Sequence, residues 1–200
     1  MSSSATAPTI EKDTRIPPRE RLLAAAADLF YRQGIRAVGV ESIAEAAGTN
    51  KMTLYRHFES KDELVAEYLR RLAAASMAEW DKLTAAHRGD ARGELRAWLQ
   101  AMAGHVASGD ERGCALVNAA VELPDKAHPA RRVIEQLKVE QRDRLINVCE
   151  AARLSDPDLL ADELFLLLEG ARVTAQSMGP QGLGERLMRM GDAMIKAHDR

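Results

Sequence analysis

Aromatic residues are scarce in this chain, at 4% of 200 residues: two Trp, three Tyr and three Phe. Sheets lean on aromatic and β-branched side chains, and no segment here sustains period-two alternation, so strands are not expected. Cysteine is scarce as well. Cys114 and Cys149 lie far apart with no CxxC companion, which argues against a disulfide framework or a cysteine zinc site and fits reduced thiols. Long apolar runs are missing: Leu164-Phe165-Leu166-Leu167-Leu168 is the longest strongly apolar stretch, far short of the ~18 residues of a membrane span. Met1 to Ile16 lacks the apolar segment of a signal peptide. A soluble, cytoplasmic protein is expected. Charge of one sign is absent too, with a net charge of -2 and nine Lys/Arg against nine Asp/Glu over residues 1–64. Nucleic-acid binding would therefore rest on local placement, not on bulk charge. No Gly-rich phosphate loop, nucleophile elbow or closely spaced His/Cys/carboxylate set appears, so neither catalysis nor a cofactor or metal is expected. Asp156 and Asp158 read as helix-capping residues.

Good helix formers dominate what is there. Residues 1–16, rich in Ser, Thr and Ala and then in alternating charge, are expected to be disordered. Pro17 and Pro18 open a helix whose Leu22, Ala26, Leu29 and Phe30 share one face, and Gly34 suits its end. A short helix over 40–47 follows, with Val40, Ile43, Ala44 and Ala47 inward. Gly48 makes the turn, and Asn50 caps the next short helix, whose apolar side is read as Leu54, Tyr55 and Phe58. Ser60-Lys61-Asp62-Glu63 is a capping-box sequence opening a long helix to about Ala86. Further helices are expected near 91–107, 113–122, 129–153, 157–178 and 181–198, which makes an all-α chain of about nine helices.

Two short helices joined by a tight glycine turn and braced by a preceding helix describe a helix-turn-helix. The outer edge of its second helix carries Asn50, Lys51, Thr53 and Arg56, and a helix N-terminus turns N–H groups toward phosphate. Ile43-Ala44-Glu45-Ala46-Ala47-Gly48, Leu54-Tyr55-Arg56-His57-Phe58 and Ser60-Lys61-Asp62-Glu63-Leu64 together resemble the TetR (tetracycline-repressor) family, over residues 19–65. The resemblance implies a DNA-binding domain over 17–63 and a helical ligand-binding and dimerisation domain over 64–200. It implies phosphate contacts from Tyr55, His57 and Lys61, and places Lys51, Met52 and Thr53 at the groove-facing start of the recognition helix. Asn50 would cap that helix and touch a phosphate, with Arg15 and Arg19 as further candidates. Bland roles compete: a core position for Tyr55, a solvated charge for Arg56, a buried histidine for His57. The chain also departs from the family. Val38 and Gly39 stand where a Thr or Ser pair is common, leaving Ser42 as the nearest hydroxyl, and Met52 replaces a frequent glycine.

In the remainder, Leu159, Leu160, Leu164, Phe165, Leu167 and Leu168 are too apolar for one buried stripe, and Gly170 and Ala171 would admit a close partner. With Leu183, Leu187, Met190, Met194 and Ile195 they suit a homodimer through the last two helices, part of the stripe serving the chain's own core. The family resemblance further implies a small-molecule pocket, an effector that shifts the population of two states, and a repressor released from operator DNA. Pocket candidates are Trp80, Trp98, Met102, His105, Cys114, Asn118 and Glu169, each with a packing or ion-pair alternative, Glu169 with Arg172 in particular. Cys114, with Arg112 its one basic neighbour, reads as inert.

Overall fold

Prolines and caps set where the helices begin. In a computed structural model that describes residues 16–108 and 113–200, nine α-helices and no strand form among those residues. Of the arm expected over residues 1–16, residues 1–15 with Arg15 lie outside them, as does Arg112. Helix α1 (Pro18–Gln33) begins with a proline in its first turn and ends at Gly34, whose N–H donates to the Phe30 carbonyl. After α2 (Val40–Ala46), Gly48 donates to Glu45 O and Thr49 to Ala44 O, both at 2.9 Å. Those paired bonds are a Schellman stop, and Gly48 takes the positive φ of 63° that it needs. Helix α3 (Lys51–His57) follows at once. Ser60 Oγ accepts the Glu63 N–H at the start of α4 (Lys61–Ala86). The Glu63 carboxylate pairs with Arg70 at 2.9 Å instead of turning back to close the capping box.

The chain continues through α5 (Ala91–Ala107), α6 (Ala115–Glu122), α7 (Pro129–Ala151), α8 (Pro157–Met178) and α9 (Leu183–Ala197). One expected cap does not form. Asp156 precedes α8 in the left-handed region, with φ +45° and ψ 57°, and not in the extended conformation of a capping residue, so its side chain makes no cap bond.

Two cores hold these helices. The first joins Leu22, Phe30, Ile43, Leu54 and Phe58 to Leu64 and Leu69 of α4, Leu116 of α6 and Leu137 of α7. The three short helices bury their apolar faces only with that help. Tyr68 packs on Phe30 with centroids 5.7 Å apart, and burial pushes its phenol up to about 12. The second core gathers Trp80, Trp98, Leu99, Leu145, Cys149, Leu160, Leu164 and Leu187 from α4, α5, α7, α8 and α9. Burial raises the Cys149 thiol to about 12. Helices α5 and α9 meet closely: a Cβ on Gly184 would lie 2.9 Å from the Ala103 carbonyl oxygen. The end of the chain is tied to the α7–α8 turn, Ser155 N–H donating to His198 O at 2.8 Å.

The apolar stripe of α8 divides. Leu160, Leu164 and Leu168 face this chain's own core, while Leu159, Leu166 and Val173 stand exposed at seven-residue spacing, Leu166 at 71%. Of the α9 residues, Leu187 is buried, Leu183, Met194 and Ile195 pack partly on the second core, and Met190 is exposed.

Candidate nucleic-acid interface

The inner side of α3 is narrow. Leu54 and Phe58, one turn apart, are buried, and they fix α3 against α1 and α2. Tyr55 sits about 100° further round the helix. It is 42% exposed, which corrects its placement on the apolar side; the 7-residue helix has room for one buried row only. His57 is also exposed, which removes the buried-histidine alternative.

Asn50 caps α3, its Oδ1 accepting the Thr53 N–H at 2.9 Å and the Thr53 hydroxyl at 3.2 Å. Met52 is 74% exposed, with Tyr55 and Arg56 also on the outside. Lys51 donates to Glu41 Oε1 at 2.6 Å and lies over the Tyr55 ring at 5.9 Å. Its hydrogen bond to Glu41 raises the ammonium pKa and lowers that of the carboxylate. Sequence reasoning missed Glu41, because a partner ten positions away on another helix leaves no local signal.

Lys61 turns inward. Its Nζ donates to the Ile35 carbonyl at 2.6 Å, and the ammonium stands 6.0 Å from the Phe30 ring centroid. Burial lowers its pKa, against the opposing pull of Asp62 and Glu122. Arg19 is tied to Glu67 at 2.9 Å and stacked over Phe58, so it braces α1 against α4. Arg71 bonds Glu20 through both guanidinium nitrogens, at 2.6 and 2.8 Å, across the same pair of helices. Val38 is buried in the first core, and Gly39 is the N-cap of α2 with no side-chain cap bond. Ser42 is exposed in the first turn of α2.

The unit formed by α1, α2 and α3 is also clamped from behind. The Glu122 carboxylate accepts the Arg36 N–H at 3.0 Å, and His128 Nε2 lies 3.3 Å from Asp62. The ends of α6 and α7 thereby touch the loop before α2 and the first turn of α4.

A second candidate site lies between α4, α5, α7 and α8. Trp80, Trp98, Met102 and His105 line a cavity of about 70 Å³ there. Cys114 lines an adjoining cavity of about 210 Å³, which shares His105 and Arg172 with the first. Asn118 and Glu169 line neither; Glu169 pairs with Arg172 and with Lys138, each at 2.7 Å, so its ion-pair alternative is the one observed. The sequence reading missed Gln141, Phe165 and Arg172 as lining residues. Among the described residues no group of three His, Cys, Asp or Glu side chains could hold a metal, and no helix is long and apolar enough to cross a membrane.

Comparison with known proteins bears on this geometry. The pattern of the bacterial regulatory proteins of the tetR family matches residues 22–68. A solved structure of a protein described as a tetR transcriptional regulator, from Streptomyces avermitilis, is 37% identical, with 92% of this chain and 99% of that one covered and a TM-score of 0.81. Over 52 residues, 26% of each chain, the sequence is 50% identical to the HTH-type transcriptional repressor KstR2 of Rhodococcus jostii. Over 63 residues, 30% of this chain and 29% of the other, it is 43% identical to the HTH-type transcriptional activator FasR of Mycolicibacterium smegmatis.

Proposed function

The chain belongs to the TetR family of DNA-binding transcription regulators, which are not enzymes, and on that premise we propose that it is a repressor released from its operator by a small-molecule effector. Residues 17–63 form the reading head, and residues 64–200 take the effector and form a homodimer. Acting on the chromosome, the protein works in the cytoplasm.

The observation that carries this reading is the outer face of α3, a capped helix start with Lys51, Met52, Tyr55 and Arg56 all exposed. Such a face fits a major groove, and backbone N–H groups at its start suit phosphate. Tyr55, His57 and Lys61 anchor phosphates, with Asn50 and Arg56 beside them; Lys51, Met52 and Thr53 meet base edges. The long apolar side chain of Met52 suits a thymine methyl. Two of these groups must change partner to act: Lys51 leaves Glu41, and Lys61 leaves the Ile35 carbonyl. Affinity gained on DNA is reduced by the contacts given up.

The reading head does not set the sign of regulation, since it is similar both to a named repressor and to a named activator. Repression is the simpler mechanism, because occupying an operator suffices. Two copies are needed to span two half-sites. The exposed row Leu159, Leu166 and Val173, with Met190 of α9, supports a dimer through α8 and α9, and the open space around Gly170 allows close approach. An effector that binds two states with unequal affinity shifts their populations, and the clamps at Arg36 and Asp62 give the core a lever on the head.

Binding to DNA from upstream of the protein's own gene, compared with random DNA at two salt concentrations, tests the assignment. Lys61→Ala should weaken both alike and reduce the salt slope by about one. Thr53→Ala should change base preference and leave the slope alone. Equal losses in the two variants would refute the division of roles.

A further inference from the structure

Resting on the reading that the cavity between α4, α5, α7 and α8 receives the effector, we propose that this effector is a small aromatic or apolar carboxylate held by Trp80 and Arg172. One wall donor lacks an acceptor. Trp80 is 5% exposed, and its indole N–H is buried with no hydrogen-bond partner. An indole N–H can only donate, so the group it lacks is an acceptor. Arg172 directs one nitrogen to Glu169 at 2.7 Å, but its other terminal nitrogen has the Met102 sulfur at 3.7 Å, a weak acceptor. The Gln141 Nε2 donates to the Ser76 hydroxyl at 3.1 Å, which leaves the Gln141 carbonyl oxygen as a neutral acceptor in the wall.

Charge points the same way. Glu169 is shared by Lys138 and Arg172, one carboxylate against two cations, which leaves a positive charge beside the cavity. The aromatic walls do not suit a cationic ligand, since Lys138 already lies over the Phe165 ring at 5.2 Å and Arg144 over Trp80 at 5.1 Å. Glu79 is the one carboxylate among the lining residues, and it stands exposed. The ligand body meets the Trp80–Trp98 pair, whose centroids are 5.5 Å apart, and Leu83, Phe165 and Leu168. Even together the two adjoining cavities fall just short of the ~300–1,000 Å³ typical of ligand pockets, so the body is about one ring or a short chain.

The Trp80 N–H has almost no accessible surface, so a carboxylate reaches it only when the indole shifts. Trp80 belongs to α4, whose first turn carries Lys61 and adjoins the reading head. A bond to Trp80 thus favours an indole position other than the observed one, and unequal affinity for two states is what an effector requires.

Phenylacetate, phenylacetamide and phenethylamine present one ring with an anionic, a neutral and a cationic end. Tryptophan fluorescence and thermal shift of the full-length protein should show phenylacetate binding roughly tenfold or more tighter than phenylacetamide, with no binding of phenethylamine. Arg172→Gln should abolish the preference for the acid, and Arg172→Lys should keep most of it. Trp80→Phe should weaken phenylacetate several-fold while Trp98 still reports binding. Phenylacetamide or phenethylamine binding as tightly as the acid, or an unchanged preference in Arg172→Gln, overturns the carboxylate assignment and leaves the cavity as the effector site. No response to any of the three probes overturns the carboxylate assignment and the cavity reading together.

Discussion

The surface of the reading head and the cavity of the helical core treat their polar groups differently. At the head's surface Lys51 is matched to Glu41, Lys61 to the Ile35 carbonyl and Arg19 to Glu67, while beneath it the Arg21 Nε is buried without a partner. At the core cavity the Trp80 N–H has no partner, and Arg172, paired to Glu169 through one nitrogen, turns the other to a thioether. A surface that must find one DNA site among many gains from such matching, because each contact exchanged lowers affinity for all DNA and leaves specificity to geometry. A cavity that must respond to a ligand gains from donors that only the ligand completes.

Substitutions can break that comparison. The largest effects are expected from Leu54→Ala and Leu160→Ala, each fully buried in one of the two cores and each costing about 2–5 kcal/mol. Because α4 and α7 contribute to both cores, both variants should still melt in one transition by calorimetry. Separate transitions for head and core would show that the two regions are independent. The glycines come next. Gly48→Ala forces a side chain into the left-handed region at about 1–2 kcal/mol. Gly184→Ala meets the Ala103 carbonyl and should cost about 1–3 kcal/mol through displacement of α9. Only the second should also alter dimer strength, read by sedimentation, since α9 carries the exposed Met190.

Alkaline pH separates the regions more gently. Tyr68 in the first core and Cys149 in the second both have raised values near 12. An acid held neutral in the fold ionises first in the unfolded chain, so its contribution is complete below the unfolded value and is lost as pH rises toward 12. By pH 10 the loss should be on the order of 1 kcal/mol, most of it from the thiol. Urea titrations of Cys149→Ala across pH 8–10.5 should show a flatter decline. The smallest effect is a gain: Gly39→Ser supplies the hydroxyl cap that α2 lacks, at φ −84° and with its Cβ in ordinary contact with the Glu41 carboxylate at 3.7 Å, worth a few tenths of a kcal/mol.

The contrast also explains what could be read in the sequence. The head is written in local spacing: Asn50 to Thr53, Ser60 to Glu63, the turn at Gly48, and the buried pair Leu54 and Phe58 all lie within a few residues of their partners. Where a contact crosses helices the signal fades, as with Glu41 beneath Lys51 and the inward turn of Lys61. Tyr55 was misplaced because an aromatic between two buried residues reads as core, although helix geometry turns it out. In the core, the tryptophans, Met102 and His105 stood out by type and spacing. Phe165 and Gln141 did not, since the cavity assembles from four helices up to 96 positions apart, Ser76 to Arg172. Arg172 was visible only as a partner for Glu169, and its second exposure to the cavity is a property of packing.

Hydroxyl-radical footprinting on DNA from upstream of the protein's own gene tests the central claim, that α3 of each of two chains lies in a major groove. Two protected patches, related by a dyad and one or more whole helical turns apart, are predicted, the single-turn spacing being ~34–36 Å. Both should vanish together when Lys51, Thr53 and Tyr55 are replaced by Ala. Protection that survives this replacement, or no protected patch at all, would contradict the account.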